Sequence, residues 1–104
     1  MSYKKLVRDN IPEIIKQNGE NPVTRILSND EYKKELEKKL LEECNEVIEA
    51  KKEARIEELS DLLEVMIALG KIEGKTLDDV IKVCEDKRKK RGSFDKMIFL
   101  EDVR

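Results

Sequence analysis

Histidine is absent from this sequence, and so is tryptophan. Without histidine, the Ser–His and Cys–His nucleophilic pairs, the His general base and the usual zinc sites are excluded. The two cysteines, Cys44 and Cys84, stand alone with no C-x-x-C motif. Both fall at apolar positions of helical patterns, so they read as buried free thiols. Aromatic residues make up only 4% of the chain, leaving Leu, Ile and Val to build the core. A domain of about 100 residues buries roughly two-thirds of its unfolded surface. With so few large side chains, part of the apolar surface is expected to be buried between subunits, in a homo-oligomer (dimer or tetramer). No charge of one sign prevails: 22 basic residues face 24 acidic ones. A bulk electrostatic pull toward nucleic acid or membrane therefore has no support. No run approaches 18 apolar residues, and the opening residues carry no apolar leader, so the expectation is a soluble, cytoplasmic chain without membrane contact.

At 104 residues the length fits a single domain, 1–104, and there are no repeats, low-complexity tracts or Pro/Gly-rich linkers. Asp9 or Asn10 is placed to cap a short first helix, with Pro12 tolerated in its first turn and Asn18-Gly19 ending it. Pro22 to Leu27 reads as a short strand. The cluster Ser28 to Asp30 opens a long helix whose buried stripe is Leu36, Leu40, Leu41, Cys44, Val47 and Ile48. A third helix runs from about Arg55 to Glu73 and is apolar nearly all round between Leu59 and Ile72, the mark of a central, buried helix. Thr76 caps a fourth, Leu77 to about Lys90, with Asp78 and Asp79 in its first turn. Met97 to Leu100 reads as a second short strand, able to pair with the first in a small ribbon. Ala50 to Arg55 contains neither Gly nor Pro, so periodicity alone does not prove a turn there. One unbroken helix of more than forty residues would nevertheless be out of proportion to so small a domain.

Carboxylates interrupt these apolar stripes in two places, Glu42-Glu43-x-x-Glu46 and Glu58-x-x-Asp61. Residues three apart share a helix face, and like charges at that spacing cost each helix a few tenths of a kcal/mol per pair. If the second and third helices fold back antiparallel, Glu43, Glu46, Glu58 and Asp61 converge on one patch. Such a patch repels itself unless it is hydrated, protonated or neutralised, and an oxygen-seeking divalent ion, Mg²⁺ or Mn²⁺, is its natural neutraliser. Were the two helices one rod, Glu43 and Asp61 would lie roughly 27 Å apart and could share nothing.

These acidic motifs resemble those of the all-α nucleoside triphosphate pyrophosphohydrolases, the MazG-like and phosphoribosyl-ATP pyrophosphohydrolase-like group. Lys5-Leu6-Val7-Arg8-Asp9-Asn10-Ile11-Pro12 is similar to the opening of small members, and Lys87-Arg88-x-x-Arg91-Gly92-Ser93-Phe94-Asp95-Lys96 to their ending. The resemblance implies an all-α, four-helix-bundle-like fold of the MazG type, here with a minor two-stranded β ribbon, in an oligomer. It implies Glu43, Glu46, Glu58 and Asp61 as metal ligands. Glu42 would be an outer-shell group, a further ligand or the base for the attacking water. The implied reaction splits a nucleotide between its α- and β-phosphates, giving the monophosphate and pyrophosphate. Nothing in that chemistry needs a covalent nucleophile, in keeping with the residue inventory.

The basic run Lys87 to Arg91 reads either as a solvated, cation-favoured helix C-terminus or as a phosphate clamp opposite the metal. Nucleic-acid binding is disfavoured, because no aromatics are interleaved with it. By the resemblance, Lys87, Arg88 and Arg91 are the candidate substrate contacts, with Arg8 and Lys5 as further ones, while Lys39 is placed to pair with Glu43. Tyr32 and Phe94 are too isolated to assign to base stacking. The reading is thus a Mg²⁺-dependent nucleotide pyrophosphohydrolase that clears surplus or non-standard nucleotides, with Glu42, Glu43 and Glu46 as catalytic candidates. Alternatives are phosphoribosyl-ATP hydrolysis in histidine biosynthesis and a non-catalytic helical interaction module.

Overall fold

The computed structural model describes residues 4–104; the first three residues, part of the opening noted above for its lack of an apolar leader, lie outside the described residues. Four helices follow one another: α1 Ile11–Gln17, α2 Asn29–Glu49, α3 Glu53–Ile72 and α4 Leu77–Arg91. The all-helical class read from the sequence holds. None of these helices is long and apolar enough to cross a membrane.

Local chemistry accounts for the helix starts. The Ser28 hydroxyl accepts from the Glu31 N–H at 3.3 Å, and the Glu31 carboxylate accepts from the Ser28 N–H at 3.2 Å, a reciprocal capping box for α2. Arg25 adds a two-pronged donation to Glu31, at 3.2 and 2.8 Å. These bonds, the Arg25 one foremost, hold the Glu31 carboxyl down to about 2. Thr76 and Asp79 form the same box at α4, through bonds of 2.9 and 3.2 Å. At α1 the expected side-chain cap is not made: Asn10 sits at the cap position without a cap hydrogen bond, and the helix start rests on Pro12 in its first turn.

α2 and α3 form a hairpin, joined by residues 50–52 alone. The turn that the sequence left unmarked is made by Lys52, at φ 54° and ψ −129°, a backbone region that glycine enters at far lower cost. Arg55 closes it from the far side, donating to the Ala50 carbonyl at 3.1 Å. Beyond α3, Gly74 takes φ 75° and the chain reverses. Gly70 sits beside the start of α4, where a Cβ would make ordinary contacts with the Lys75 carbonyl at 3.4 Å and Val80 Cγ2 at 3.5 Å.

Several expectations need correction. No strand exists among the described residues, so the ribbon is not formed. Val23 and Ile26 are almost fully exposed, Arg25 is drawn into the α2 cap, and Met97 takes φ 55° in a turn closed by its N–H to the Phe94 carbonyl. β-propensity makes no strand without an edge to pair with, and an isolated two-stranded ribbon is marginal in water. The core is also smaller than the periodicity suggests. Leu36 and Val65 are its buried apolar residues; Leu40, Cys44 and Val47 are half-buried, while Leu41 and Ile48 face solvent. Cys84 is exposed rather than buried. On α3, Ile56, Leu59, Leu63 and Met66 form an open stripe, because α2 covers only one side of that helix. α1 packs closely against none of the other helices and α4 meets only α3, so one chain supplies a hairpin with appendages rather than a closed bundle.

The resulting shape is elongated, 62 × 33 × 23 Å with a radius of gyration of 18.0 Å. A compact chain of this length would have a radius near ~13 Å. Its accessible surface is 9973 Å²; a folded monomer of this mass exposes about 6,100 Å².

Candidate metal centre and its acidic cluster

The hairpin brings α2 and α3 side by side where both carry acids at the margin of the apolar seam. One carboxylate oxygen from each of Glu43, Glu58 and Asp61 lies within 4.8 Å of the other two. Glu43 is the buried charged residue of the described chain, at 8% exposure. Glu43 Oε2 and Glu58 Oε2 are both shielded from solvent and have no hydrogen-bond partner. A buried carboxylate oxygen without a donor is costly, so two of them in one cluster mark an arrangement that a cation or a proton would satisfy.

The electrostatics agree. Burial raises the Glu43 carboxyl above its ordinary value, reinforced by the neighbouring Glu46 and Asp61. The Glu58 carboxyl is pushed up to about 7, first by a hydrogen bond with Glu46 that favours its protonated form, then by burial and the charges of Glu46, Asp61 and Glu43. Both shifts favour the protonated carboxyls, so a cation entering the cluster would compete with protons there.

The donor set fits a hard divalent ion. Oxygens bound to one octahedral Mg²⁺ at about 2.1 Å lie about 3 to 4.2 Å apart, and the oxygens of this trio lie within 4.8 Å of one another. Three carboxylates without nitrogen or sulfur favour Mg²⁺ or Mn²⁺ over zinc. The residues able to hold such an ion are Glu43, Glu58 and Asp61, with Glu46 on the exposed side of α2, close enough to raise the Glu43 and Glu58 carboxyls.

Other sequence candidates fall elsewhere. Glu42 turns to solvent and meets Lys39 at 3.9 Å, so Lys39 pairs with Glu42 rather than Glu43. Lys87, Arg88 and Arg91 lie exposed on α4, their side chains without hydrogen bonds or ion pairs to the described residues. Tyr32 lines a shallow groove with Asn29, Ala68, Lys71 and Ile72 at the open end of the hairpin. That groove is some three helical turns, about 16 Å, from Glu43. Arg8 reaches the cluster itself: its guanidinium donates to Asp61 Oδ1 at 2.7 Å. Sequence reasoning placed Arg8 as a phosphate contact and missed this pairing, since 53 residues separate the partners and no local pattern links them.

Comparison with known proteins adds an independent observation. The sequence model of the family described as phosphoribosyl-ATP pyrophosphohydrolase matches residues 9–88, from just before α1 into the basic end of α4. An uncharacterized protein of Mycolicibacterium smegmatis is 55% identical over 42 residues, which is 40% of this chain and 43% of that protein. The matched stretch thus spans less than half of that relative's length. No solved structure matches. With the acidic hairpin and the extent of the family match together, the chain belongs to the phosphoribosyl-ATP pyrophosphohydrolase family, within the MazG-like all-α pyrophosphohydrolase superfamily.

Proposed function

We propose that this protein is a Mg²⁺-dependent nucleotide pyrophosphohydrolase, active also with Mn²⁺, that adds water across the bond between the α- and β-phosphates of a nucleoside triphosphate and releases monophosphate and pyrophosphate. The observation that carries the reading is the meeting of Glu43, Glu58 and Asp61 within 4.8 Å, with two shielded oxygens lacking donors. Glu43, Glu58 and Asp61 would hold the ion and Glu46 would complete its surroundings. When bound, the ion supplies charge neutralisation on the phosphate oxygens and an acidified water. Glu43, fixed in the seam, sets the depth of the site. Glu42, solvent-facing one residue away and loosely paired with Lys39 at 3.9 Å, would accept a proton from a water outside the trio. Phosphoribosyl-ATP is the second substrate to test, because the matched family bears its name.

Lys87, Arg88 and Arg91 suit the phosphates, but they lie apart from the acids of their own chain. A second copy would bring such a cationic helix end to the acidic hairpin and cover the open α3 stripe. The functional unit is accordingly a homo-oligomer. A panel of nucleoside triphosphates and phosphoribosyl-ATP, assayed with Mg²⁺ or Mn²⁺, tests the reading: monophosphate and pyrophosphate form, and excess EDTA stops the reaction. Turnover that persists in EDTA, or products other than these, overturns it.

A further inference from the structure

Arg8 lies in the segment just before α1, where its carbonyl accepts from the Ile11 N–H at 3.1 Å. Its side chain crosses to α3 and meets Asp61 Oδ1 at 2.7 Å. The pairing is accessible on both sides, with 57% of the Arg8 side chain and 45% of the Asp61 side chain exposed. An accessible ion pair is weak and readily exchanged. It nevertheless occupies a carboxylate that belongs to the trio, and it is an ion pair to the cluster from outside α2 and α3.

We propose that Arg8 is a resident counter-cation of the acidic cluster, which an incoming divalent ion displaces and which then turns to the phosphates of the nucleotide. This rests on the metal-site reading above. The logic is competition for one carboxylate. Asp61 Oδ1 holds the guanidinium in the metal-free chain, and the same carboxylate is needed for the ion. A guanidinium released there stays on a short tether beside the site, and its planar fork matches two phosphate oxygens. Arg8 thus links metal loading to substrate capture: the site offers a free cation to phosphate once Asp61 is otherwise engaged.

Mn²⁺ titration calorimetry without nucleotide, on the wild type, Arg8→Gln, Arg8→Lys and Asp61→Asn, tests this. Removing a competing surface ion pair is expected to tighten Mn²⁺ binding about two- to fivefold in Arg8→Gln. Arg8→Lys, which keeps the charge, should stay near the wild type, and KM for nucleotide should rise in Arg8→Gln. A Mg²⁺ titration followed by NMR should move the Arg8 Nε–H resonance of the wild type as the ion enters. Unchanged or weaker Mn²⁺ binding in Arg8→Gln, or an unmoved Arg8 resonance on Mg²⁺ saturation, overturns the counter-cation role alone. A wild type that binds no Mn²⁺, or an Asp61→Asn chain that binds as well as the wild type, overturns the metal-site reading beneath it.

Discussion

Glu58 holds its proton to unusually high pH because its neighbours are acids rather than cations. A carboxyl whose pKa rises from about 4.5 unfolded to about 7 folded keeps more protons in the folded state across that window. Stability from this group is therefore present below the unfolded value and is lost as pH climbs toward 7. In EDTA, the urea midpoint should fall between pH 5 and 7.5, and Glu58→Gln should flatten that slope while abolishing metal-dependent turnover. A midpoint that rises over this interval would contradict the arrangement of the acids. The pairs Glu43/Glu46 and Glu58/Asp61 were legible in the sequence because i,i+3 spacing is a local geometric statement, whereas their meeting across α2 and α3 hung on a turn that carries no sequence mark. The Arg8–Asp61 contact was not, since it depends on where the segment before α1 falls in space.

At the level of helices, what could be read and what could not divide along the same line. Ser28 with Glu31, and Thr76 with Asp79, declare their helix starts because side chain and backbone lie three residues apart. The α2–α3 turn gives no such signal, for Lys52 adopts φ 54° under the demand of hairpin packing and not by its own preference. Replacing it with glycine should relieve that strain and raise stability by about 1 kcal/mol. Urea denaturation of Lys52→Gly checks this; a loss of stability would mean that the lysine side chain matters more than its backbone angle. The segments 22–27 and 97–100 were misread because strand propensity expresses itself only against a paired edge, which these helices do not provide.

The whole chain exposes about 3,900 Å² more than a folded monomer of its mass should. Two copies together carry about 7,800 Å² of such excess, more than the about 2,000 to 5,000 Å² in total that an obligate homodimer interface buries on its two partners. Ile56, Leu59, Leu63 and Met66 on α3, and Phe94, Met97, Ile98, Phe99 and Leu100 beyond α4, are exposed apolar residues that a partner copy would cover. Light scattering at micromolar concentration should report a mass at least twice that of the chain, and Leu63→Glu should shift it toward the monomer with reduced thermal stability. A wild type that scatters as a monomer would remove the case for a shared site. Hydropathy and the shortage of aromatics already pointed toward assembly. They could not say which face remained open, because that depends on the side of α3 that α2 covers.

The link at residues 50–52 also limits how this protein can change. Surface loops ordinarily absorb insertions and deletions with little consequence. Here the link is three residues long, and a residue gained or lost that passed into α3 would turn its face by about 100° and carry Glu58 and Asp61 away from Glu43. A stretch with no chemistry of its own is thereby as intolerant of length variation as the acids are of substitution.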